Sequence, residues 1–294
     1  MHWPKIALIG VGLLGGSLGL AIKQRRLATR VAGYVRRPAS IAECHKYGVV
    51  DEASTDLAAI VADADLVILC TPLGQMGALA AGMTKSLKPG ALVTDVGSVK
   101  LSVVQQLEPV VKEAGGHFIG SHPMSGAEKT GVAAARADLF ENGVCVITPV
   151  PGSSAQMIRC LEDFWTGVGA RILRLSAEVH DDLVSRSSHL PHVVAAELAN
   201  YVLSPVHPPE QAMVCANGFR DTTRIALSST EMWRDIALAN QKNLRRVLGV
   251  FIEDLQEFCE ALKNNDQKTV EEFFENARQR RNRWRNQAAS ASSE

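Results

Sequence analysis

The sequence lacks both an excess of charge and a regular cysteine pattern. Its 31 Lys and Arg residues balance 31 Asp and Glu residues, so the formal net charge at pH 7 is zero. Proteins that bind nucleic acids or anionic membranes usually carry a basic excess, so we expect neither partner and only local anion sites. The six cysteines are scattered without a CxxC pair. That spacing argues against a zinc site or a disulfide framework and favours reduced thiols in a cytoplasmic protein.

Long hydrophobic runs are also missing. No segment reaches the roughly 18 to 20 unbroken apolar residues of a membrane span, and the N-terminus lacks the cationic and apolar regions of a signal peptide. Aromatic residues make up only 5% of the chain, but hydrophobic residues make up 46% and charged residues 21%. This composition excludes a fully disordered chain, and 294 residues suffice for about two domains with cores of their own.

The first half of the chain alternates short apolar runs with helical patterns. The runs begin at Lys5, Val31, Asp65, Ala91, His117 and Val144. Because they are continuously apolar, they predict strands buried on both faces, as in a parallel sheet covered by helices. We therefore predict an α/β Rossmann domain with a doubly wound, mostly parallel sheet over residues 1–150.

A cluster of turn residues at 149–153 marks the predicted domain boundary. After one more possible strand at 171–175, the pattern becomes helical almost to the end. Apolar residues are distributed around all sides of these long predicted helices, so more than one face of each helix must pack against a partner. We predict an all-α C-terminal domain over residues 151–294 that forms a homodimer.

The segment GVGLLGGS, residues 10–17, follows the first predicted strand and opens a helix. Glycines at these positions permit a tight turn and close approach of the backbone to a pyrophosphate, while the helix N-terminus presents N–H groups to the anion. A plain glycine turn is the alternative. The expected cofactor contacts come from Gly10, Gly12, Leu13, Leu14 and Gly15.

Two arginines, Arg36 and Arg37, stand where the second predicted strand ends. An acidic residue at this place would bind the ribose 2′-hydroxyl of NAD. Two guanidinium groups suit a 2′-phosphate instead, so NADP is favoured over NAD, with simple solvation of the arginines as the alternative. From the topology, we expect Thr71 and Pro72, after the next apolar strand, beside the cofactor's ribose and nicotinamide.

Ser98 and His122 follow the next two predicted strands. The carboxyl ends of such strands border the ligand crevice of an open α/β sheet, so both side chains should face the nicotinamide. A hydroxyl and an imidazole meeting there can polarise a substrate alcohol. A lone histidine at a strand end is often only a structural hydrogen-bonder, but the expected cofactor favours catalysis.

The helical half contains two histidine motifs. SHLPH, residues 188–192, separates His189 from His192 by three positions, but no third ligand with recognisable spacing accompanies them. Substrate contact is therefore favoured over metal binding, and no metal is expected. For His180 and Asp181, a solvated helix start is favoured over a metal site. The basic cluster at 278–285 fits a solvated helix end better than a nucleic-acid contact.

The chain resembles the prephenate and arogenate dehydrogenases of tyrosine biosynthesis. The resemblance spans nearly the whole chain through seven motifs in the same order: GVGLLGGSLGLA, DVGSVK, GSHPMSGAEKTG, LSAEVHD, SHLPH, GFRDTTRIA and MWRDI. It implies an oxidoreductase of aromatic amino acid biosynthesis that acts by oxidative decarboxylation. Hydride leaves the ring carbon bearing the hydroxyl, and the ring carboxylate leaves as carbon dioxide.

The resemblance also implies roles for individual residues. His122 is the hydrogen-bond acceptor or base for the ring hydroxyl, and Ser98 orients that hydroxyl and the imidazole. Arg224 binds a substrate carboxylate, and His192 makes a further contact. The family places three more positions around the site entrance, partly contributed by the dimer partner: Glu128, Asp221 and Trp233.

Some relatives carry a fused chorismate mutase or an ACT domain, for which the predicted elements leave no room. A monofunctional enzyme is expected, with any tyrosine feedback acting at the active site. An ordinary histidine pKa near 6.5 at His122 predicts turnover that rises through about pH 6 to 7.

Two alternatives stay open. One is a dehydrogenase of the β-hydroxyacid or pyrroline-carboxylate reductase type, against which SHLPH and TTRIA argue. The other is a non-catalytic NADP-binding sensor, against which the presence of both Ser98 and His122 argues.

Overall fold

The computed structural model describes residues 2–126 and 130–290, with side chains as far as residue 286. The chain forms two compact units, residues 1–241 and residues 242–294. Within the described residues, no helix is both long enough and apolar enough to cross a membrane.

The first unit begins with a six-stranded parallel sheet. Its strands are β1 (Trp3–Ile9), β2 (Ala28–Tyr34), β3 (Glu52–Ser54), β4 (Leu66–Leu69), β5 (Leu92–Asp95) and β6 (His117–Phe118). They lie in the order β3-β2-β1-β4-β5-β6, and every neighbouring pair is parallel. The helices between them are α1 (Leu13–Gln24), α2 (Ala39–Lys46), α3 (Leu57–Val61), α4 (Leu73–Met83) and α5 (Leu101–Glu113).

Strand β1 shows why the apolar runs form this sheet. Successive side chains of a strand point to opposite faces, so Ile6 and Leu8 pack in one core while Ala7 and Ile9 pack in a second. All four are fully buried. Helices cover both faces, and the predicted α/β Rossmann fold is confirmed.

A second sheet of three strands follows. Strand β7 (Gly120–Pro123) is antiparallel to β8 (Val144–Thr148), and β8 is parallel to β9 (Arg171–Arg174). Helix α6 (Ala155–Gly167) connects β8 to β9. The run at Val144, taken for a strand of the parallel sheet, therefore belongs to this separate one. Since β9 pairs with β8, sheet structure continues past residue 150, where the sequence predicts the domain boundary.

The rest of the described chain is helical. It contains α7 (Ala177–Val184), a π-helical turn (Ser185–His189), α8 (Leu190–Val202), α9 (Glu210–Met213), α10 (Asn217–Thr223), a 3₁₀ turn (Arg224–Leu227), α11 (Thr230–Ala239), α12 (Gln241–Lys263) and α13 (Gln267–Ser290). The second unit consists of α13 and of α12 without its first residue. Within it, the Phe258 and Phe273 rings pack with centroids 4.5 Å apart.

Candidate active site

The glycine-rich turn packs tightly against the turn that follows β4. Gly10 has φ +100°, and a Cβ there would lie 2.7 Å from the Thr71 Cγ2 atom. A Cβ at Gly15 would lie 2.1 Å from the Gly10 carbonyl oxygen, whereas one at Gly12 would meet nothing within 4 Å. Positions 10 and 15 thus need glycine for packing, while the space beside Gly12 is open to a ligand.

A cavity of about 300 Å³ adjoins this turn, and Gly10, Gly12, Arg36 and Arg37 are among the residues that line it. Helix α1 has no acidic residue in its first turn and no side chain capping its N-terminus, so its positive end can accept an anion. Both arginines are exposed. Over residues 2–126 and 130–290, neither forms an ion pair with a carboxylate. The phosphates of a dinucleotide fit this arrangement.

The other predicted cofactor residues border the same turn. Leu13 and Leu14 begin α1 and pack, partly buried, against the core. Pro72 precedes the first residue of α4. The Thr71 hydroxyl oxygen is buried without a hydrogen-bond partner in the described structure, so a bound ligand could supply that partner.

His122 lies on β7 opposite Val146 of β8 and is only 8% exposed. Its Nδ1 atom lies 2.8 Å from Nε2 of His180, whose own Nδ1 lies 2.8 Å from Oδ1 of Asp181. The backbone N–H groups of Lys100 and Leu101 donate to the Asp181 carboxylate at 2.7 and 3.0 Å. A continuous hydrogen-bonded line therefore runs from His122 to the start of α5.

This line corrects one expectation. His180 and Asp181 do not form a solvated helix start, because they are 0% and 1% exposed. Ser176 caps α7 by accepting from the Val179 N–H at 3.2 Å, and the buried face of this helix includes His180 and Asp181. No grouping of three or more potential metal ligands occurs among the described side chains.

A buried ion pair supports the same region. The Lys100 ammonium donates to Asp95 and, at 2.8 Å, to the Ser121 carbonyl. Lys100, Asp95 and Ser121 are all fully buried. Burial lowers the pKa of Lys100, and the Asp95 carboxylate opposes that effect. The Trp165 indole N–H also donates to the Ser121 hydroxyl at 3.2 Å, so this network holds β7 in place.

The environment of His122 disfavours its protonated form. Burial is the main cause that holds the pKa of His122 well below its ordinary value of 6.5, and His180, Lys100 and His189 add to it. An imidazole that stays neutral at pH 7 can accept a proton.

His189 lies in the π-helical turn and is 1% exposed. Its Nδ1 lies 3.2 Å from the Asn240 amide nitrogen, and its Nε2 is buried without a hydrogen-bond partner among the described residues. Burial lowers the pKa of His189 to about 4, while the Asp181 carboxylate and the Ser98 backbone oppose the fall. Ser98 is thus a neighbour of His189, but over the described chain no hydrogen bond joins its hydroxyl to His122.

His192 and Trp233 share a second cavity of about 300 Å³. Their rings stack, and the Trp233 indole nitrogen is buried without a partner in the described structure. Trp233 also contacts His189 edge to face, with ring centroids 6.0 Å apart. This cavity includes Ile225, which follows Arg224 in the 3₁₀ turn.

The remaining predicted substrate residues lie nearer solvent. Arg224 and Asp221 are both exposed, and Glu128 lies outside the described residues. The structure thus brings together His122, His189, His192 and Trp233.

The sequence alone did not indicate which buried polar residues pack around His122. They are Asp95, Lys100, His180, Asp181, His189 and Asn240. One signal was available in DVGSVK, where Asp95 and Lys100 follow a continuously apolar strand. Charged residues there are either exposed or paired, and the pairing could have been anticipated. Nothing in the spacing indicates that His180 contacts His122.

Comparisons with known proteins agree with this architecture. Residues 18–174 match the family model described as prephenate dehydrogenase, nucleotide-binding domain, and residues 176–277 match prephenate dehydrogenase, dimerization domain. These two matched regions meet at the end of β9. A cyclohexadienyl dehydrogenase of Zymomonas mobilis is 35% identical over 94% of each chain. A prephenate dehydrogenase of Bacillus subtilis is 34% identical over 93% of this chain and 74% of its own.

The solved structures that resemble this chain include a prephenate dehydrogenase and an arogenate dehydrogenase. Prephenate dehydrogenase from Aquifex aeolicus, in complex with hydroxyphenyl propionate and NAD⁺, superposes with a TM-score of 0.89 at 29% identity, over 96% of this chain and 98% of its own. Arogenate dehydrogenase from Synechocystis superposes with a TM-score of 0.80 at 27% identity, over 95% and 99%. The matched family regions and the relatives extend over nearly the whole sequence, and so the protein belongs to the prephenate dehydrogenase family of nicotinamide-dependent dehydrogenases.

Proposed function

We propose that the protein catalyses the NADP-dependent oxidative decarboxylation of prephenate, arogenate or both, forming 4-hydroxyphenylpyruvate or tyrosine. The observation that carries the proposal is the buried His122, whose pKa lies well below its ordinary value. Hydride removal from the carbon that bears the ring hydroxyl requires an acceptor for the hydroxyl proton. A neutral imidazole held in place can be that acceptor near pH 7.

Each residue of the chain has a limited task in this reaction. His122 accepts the hydroxyl proton, and Ser98 donates or accepts a hydrogen bond that orients the hydroxyl. Arg224 binds a substrate carboxylate by charge-assisted hydrogen bonds. When bound, the nicotinamide supplies the hydride acceptor. Loss of carbon dioxide and formation of an aromatic ring drive the reaction, so the protein mainly orients the reacting groups.

The buried donors near His192 support a polar substrate. The Trp233 indole nitrogen lacks a hydrogen-bond partner in the described structure, as does Nε2 of His189. Leaving buried polar atoms unpaired costs about 1 to 3 kcal/mol each, which a substrate carboxylate or carbonyl oxygen can offset. We infer that these atoms contact the bound substrate.

The preference for NADP is supported by Arg36 and Arg37, which line the cavity beside Gly12. Two exposed guanidinium groups can donate paired hydrogen bonds to two oxygens of a 2′-phosphate, and they can also stack on the adenine ring. NAD lacks that phosphate, so it would forgo the charge-assisted bonds. NAD⁺ in the Aquifex relative belongs to that protein's site.

A homodimer is supported by apolar side chains on the helical part of the first unit. Val206, Met213 and Leu227 are 84%, 83% and 83% exposed. A partner subunit that covered these side chains would remove their apolar surface from water, which favours association. The matched dimerization domain includes all three positions.

The decisive experiment assays prephenate and arogenate, each with NAD⁺ and NADP⁺, by following reduced nicotinamide and the aromatic product. We expect turnover with NADP⁺ and at least one substrate. NAD⁺ outperforming NADP⁺ would refute the arginine argument, while no turnover in any combination would refute the reaction and favour a non-catalytic sensor. His122→Asn should lower turnover by roughly 10² to 10⁴, and His45→Asn, on an exposed histidine, is the matched control.

A further inference from the structure

His180 and Asp181 lie on the Nδ1 side of the His122 ring. We propose that they are positioning residues which hold His122 in its Nδ1–H tautomer, so that Nε2 carries the lone pair that accepts the substrate hydroxyl proton. The inference rests on the proposed role of His122 and adds two residues to it.

The proton positions follow from Asp181 inward. An ionised carboxylate can only accept hydrogen bonds, and Asp181 already accepts the N–H groups of Lys100 and Leu101. Nδ1 of His180 lies 2.8 Å from Asp181 Oδ1, so this nitrogen must donate. A neutral imidazole has a single N–H, and Nε2 of His180 is therefore an acceptor.

The same reasoning fixes His122. Its Nδ1 atom lies 2.8 Å from Nε2 of His180, which presents a lone pair, so Nδ1 of His122 must carry the proton. The other tautomer would bring two lone pairs together in a buried site, where an unmade hydrogen bond is costly. Nε2 of His122 is left unprotonated, as a proton acceptor requires.

Charged and titratable groups on every neighbouring element act on His122. Asp95 ends β5 and pairs with Lys100, which precedes α5; Cys145 lies on β8, and His189 lies in the π-helical turn. The cation and the two histidines oppose a second proton on His122. The neutral state that the tautomer argument needs is thus the state that these surroundings favour.

The hydrogen-bonded series of His122, His180 and Asp181 also gives the substrate proton a path during turnover. The substrate O–H bond breaks as a new N–H bond forms at Nε2 of His122, which makes the ring an imidazolium. Its Nδ1 proton can then pass to Nε2 of His180, and the positive charge comes to lie beside Asp181. One proton enters His122 and one leaves it, the hydride goes to the bound nicotinamide, and the return of both rings to their resting protonation releases one proton to water.

Two substitutions at His180 separate this role from a structural one. His180→Gln keeps a side-chain oxygen that can accept the Nδ1–H of His122, whereas His180→Leu removes the acceptor. Each protein is labelled with ¹⁵N in its histidine rings and examined by NMR at pH 8 without substrate or cofactor, and His122→Asn assigns the signals. The spectrum reports which ring nitrogen is protonated.

We expect the Nδ1–H tautomer of His122 in the unmodified protein and in His180→Gln, and the Nε2–H tautomer in a large fraction of His180→Leu. Turnover should fall by roughly 10²-fold in His180→Leu with little change in KM, and His180→Gln should recover most of it. An Nε2–H tautomer in the unmodified protein, or an unchanged tautomer in His180→Leu, would overturn the proposal.

The two possible failures can be told apart. The tautomer is read from the free protein, so it is decided even if neither prephenate nor arogenate is turned over. If His180→Leu does not fold, the unmodified protein and His180→Gln still decide the question, because both must show a protonated Nδ1.

Discussion

The imidazole of His192 stacks on the indole of Trp233, with ring centroids 3.7 Å apart and planes inclined by 25°. Nδ1 of His192 lies 3.0 Å from the Ser188 carbonyl oxygen, to which it must donate. Burial lowers the pKa of His192, although the Ser188 carbonyl opposes the shift. The indole therefore orients a neutral ring whose remaining nitrogen is an acceptor.

Removing the indole should weaken substrate binding. A stacked pair contributes about 0.5 to 1.5 kcal/mol beyond its buried area, and about 1.4 kcal/mol is a tenfold change in affinity. We expect Trp233→Ala to raise KM for the substrate roughly tenfold, and Trp233→Phe to raise it less. Steady-state kinetics of both variants test this. Trp284→Ala, on an indole that is 61% exposed, should change nothing, and an equal rise in that variant would contradict the stacking argument.

The acid limb of the pH dependence of kcat/KM should lie at lower pH than an ordinary histidine pKa predicts. Because burial lowers the pKa of His122 well below 6.5, the ring stays unprotonated as the pH falls through about 6 to 7. Activity is lost only when the pH falls through the lowered value. We therefore expect the acid limb of kcat/KM, which reports the free enzyme, to lie well below the ordinary histidine pKa of 6.5. A limb centred at the ordinary value would contradict the effect of burial.

Cofactor preference should depend on the two arginines beside the glycine turn. A hydrogen bond to a charged group contributes about 1.5 to 3 kcal/mol, so Arg36→Ala or Arg37→Ala should raise KM for NADP⁺ by roughly 10- to 100-fold. KM for NAD⁺ should stay nearly constant, since NAD⁺ has no 2′-phosphate. Arg159→Ala, at another exposed arginine, is the control. Equal losses with both cofactors would indicate damage to the fold instead.

Breaking the buried Lys100–Asp95 pair should destabilise the protein. Lys100→Met leaves a buried carboxylate without its cation, which typically costs about 3 to 5 kcal/mol, and adding Asp95→Asn should recover part of the loss. Urea unfolding of the single and double variants measures this. Lys88→Met disrupts an exposed pair with Asp65 and should have little effect. A Lys100→Met protein as stable as its parent would show that the ion pair does not support this region.

Much of the parallel sheet could be predicted because its signals are local. Most strands of this sheet contain one short apolar run of the sequence. Gly10 and Gly15 mark the turn after β1, because the close packing there leaves no space for a Cβ. The second sheet was harder to predict. Its strand β9 is short and mostly exposed, and it pairs with β8 only after the chain has passed through helix α6, which no short-range pattern encodes.

Residue chemistry was sufficient to indicate a dinucleotide turn, a histidine at a strand end and a resemblance through seven ordered motifs. It could not indicate the protonation of that histidine. His122 and His180 are 58 residues apart in the chain, and folding both brings their rings together and removes them from water. Burial and long-range contact set the pKa and the proton positions, because they depend on every group that packs around the ring and not on its neighbours in sequence.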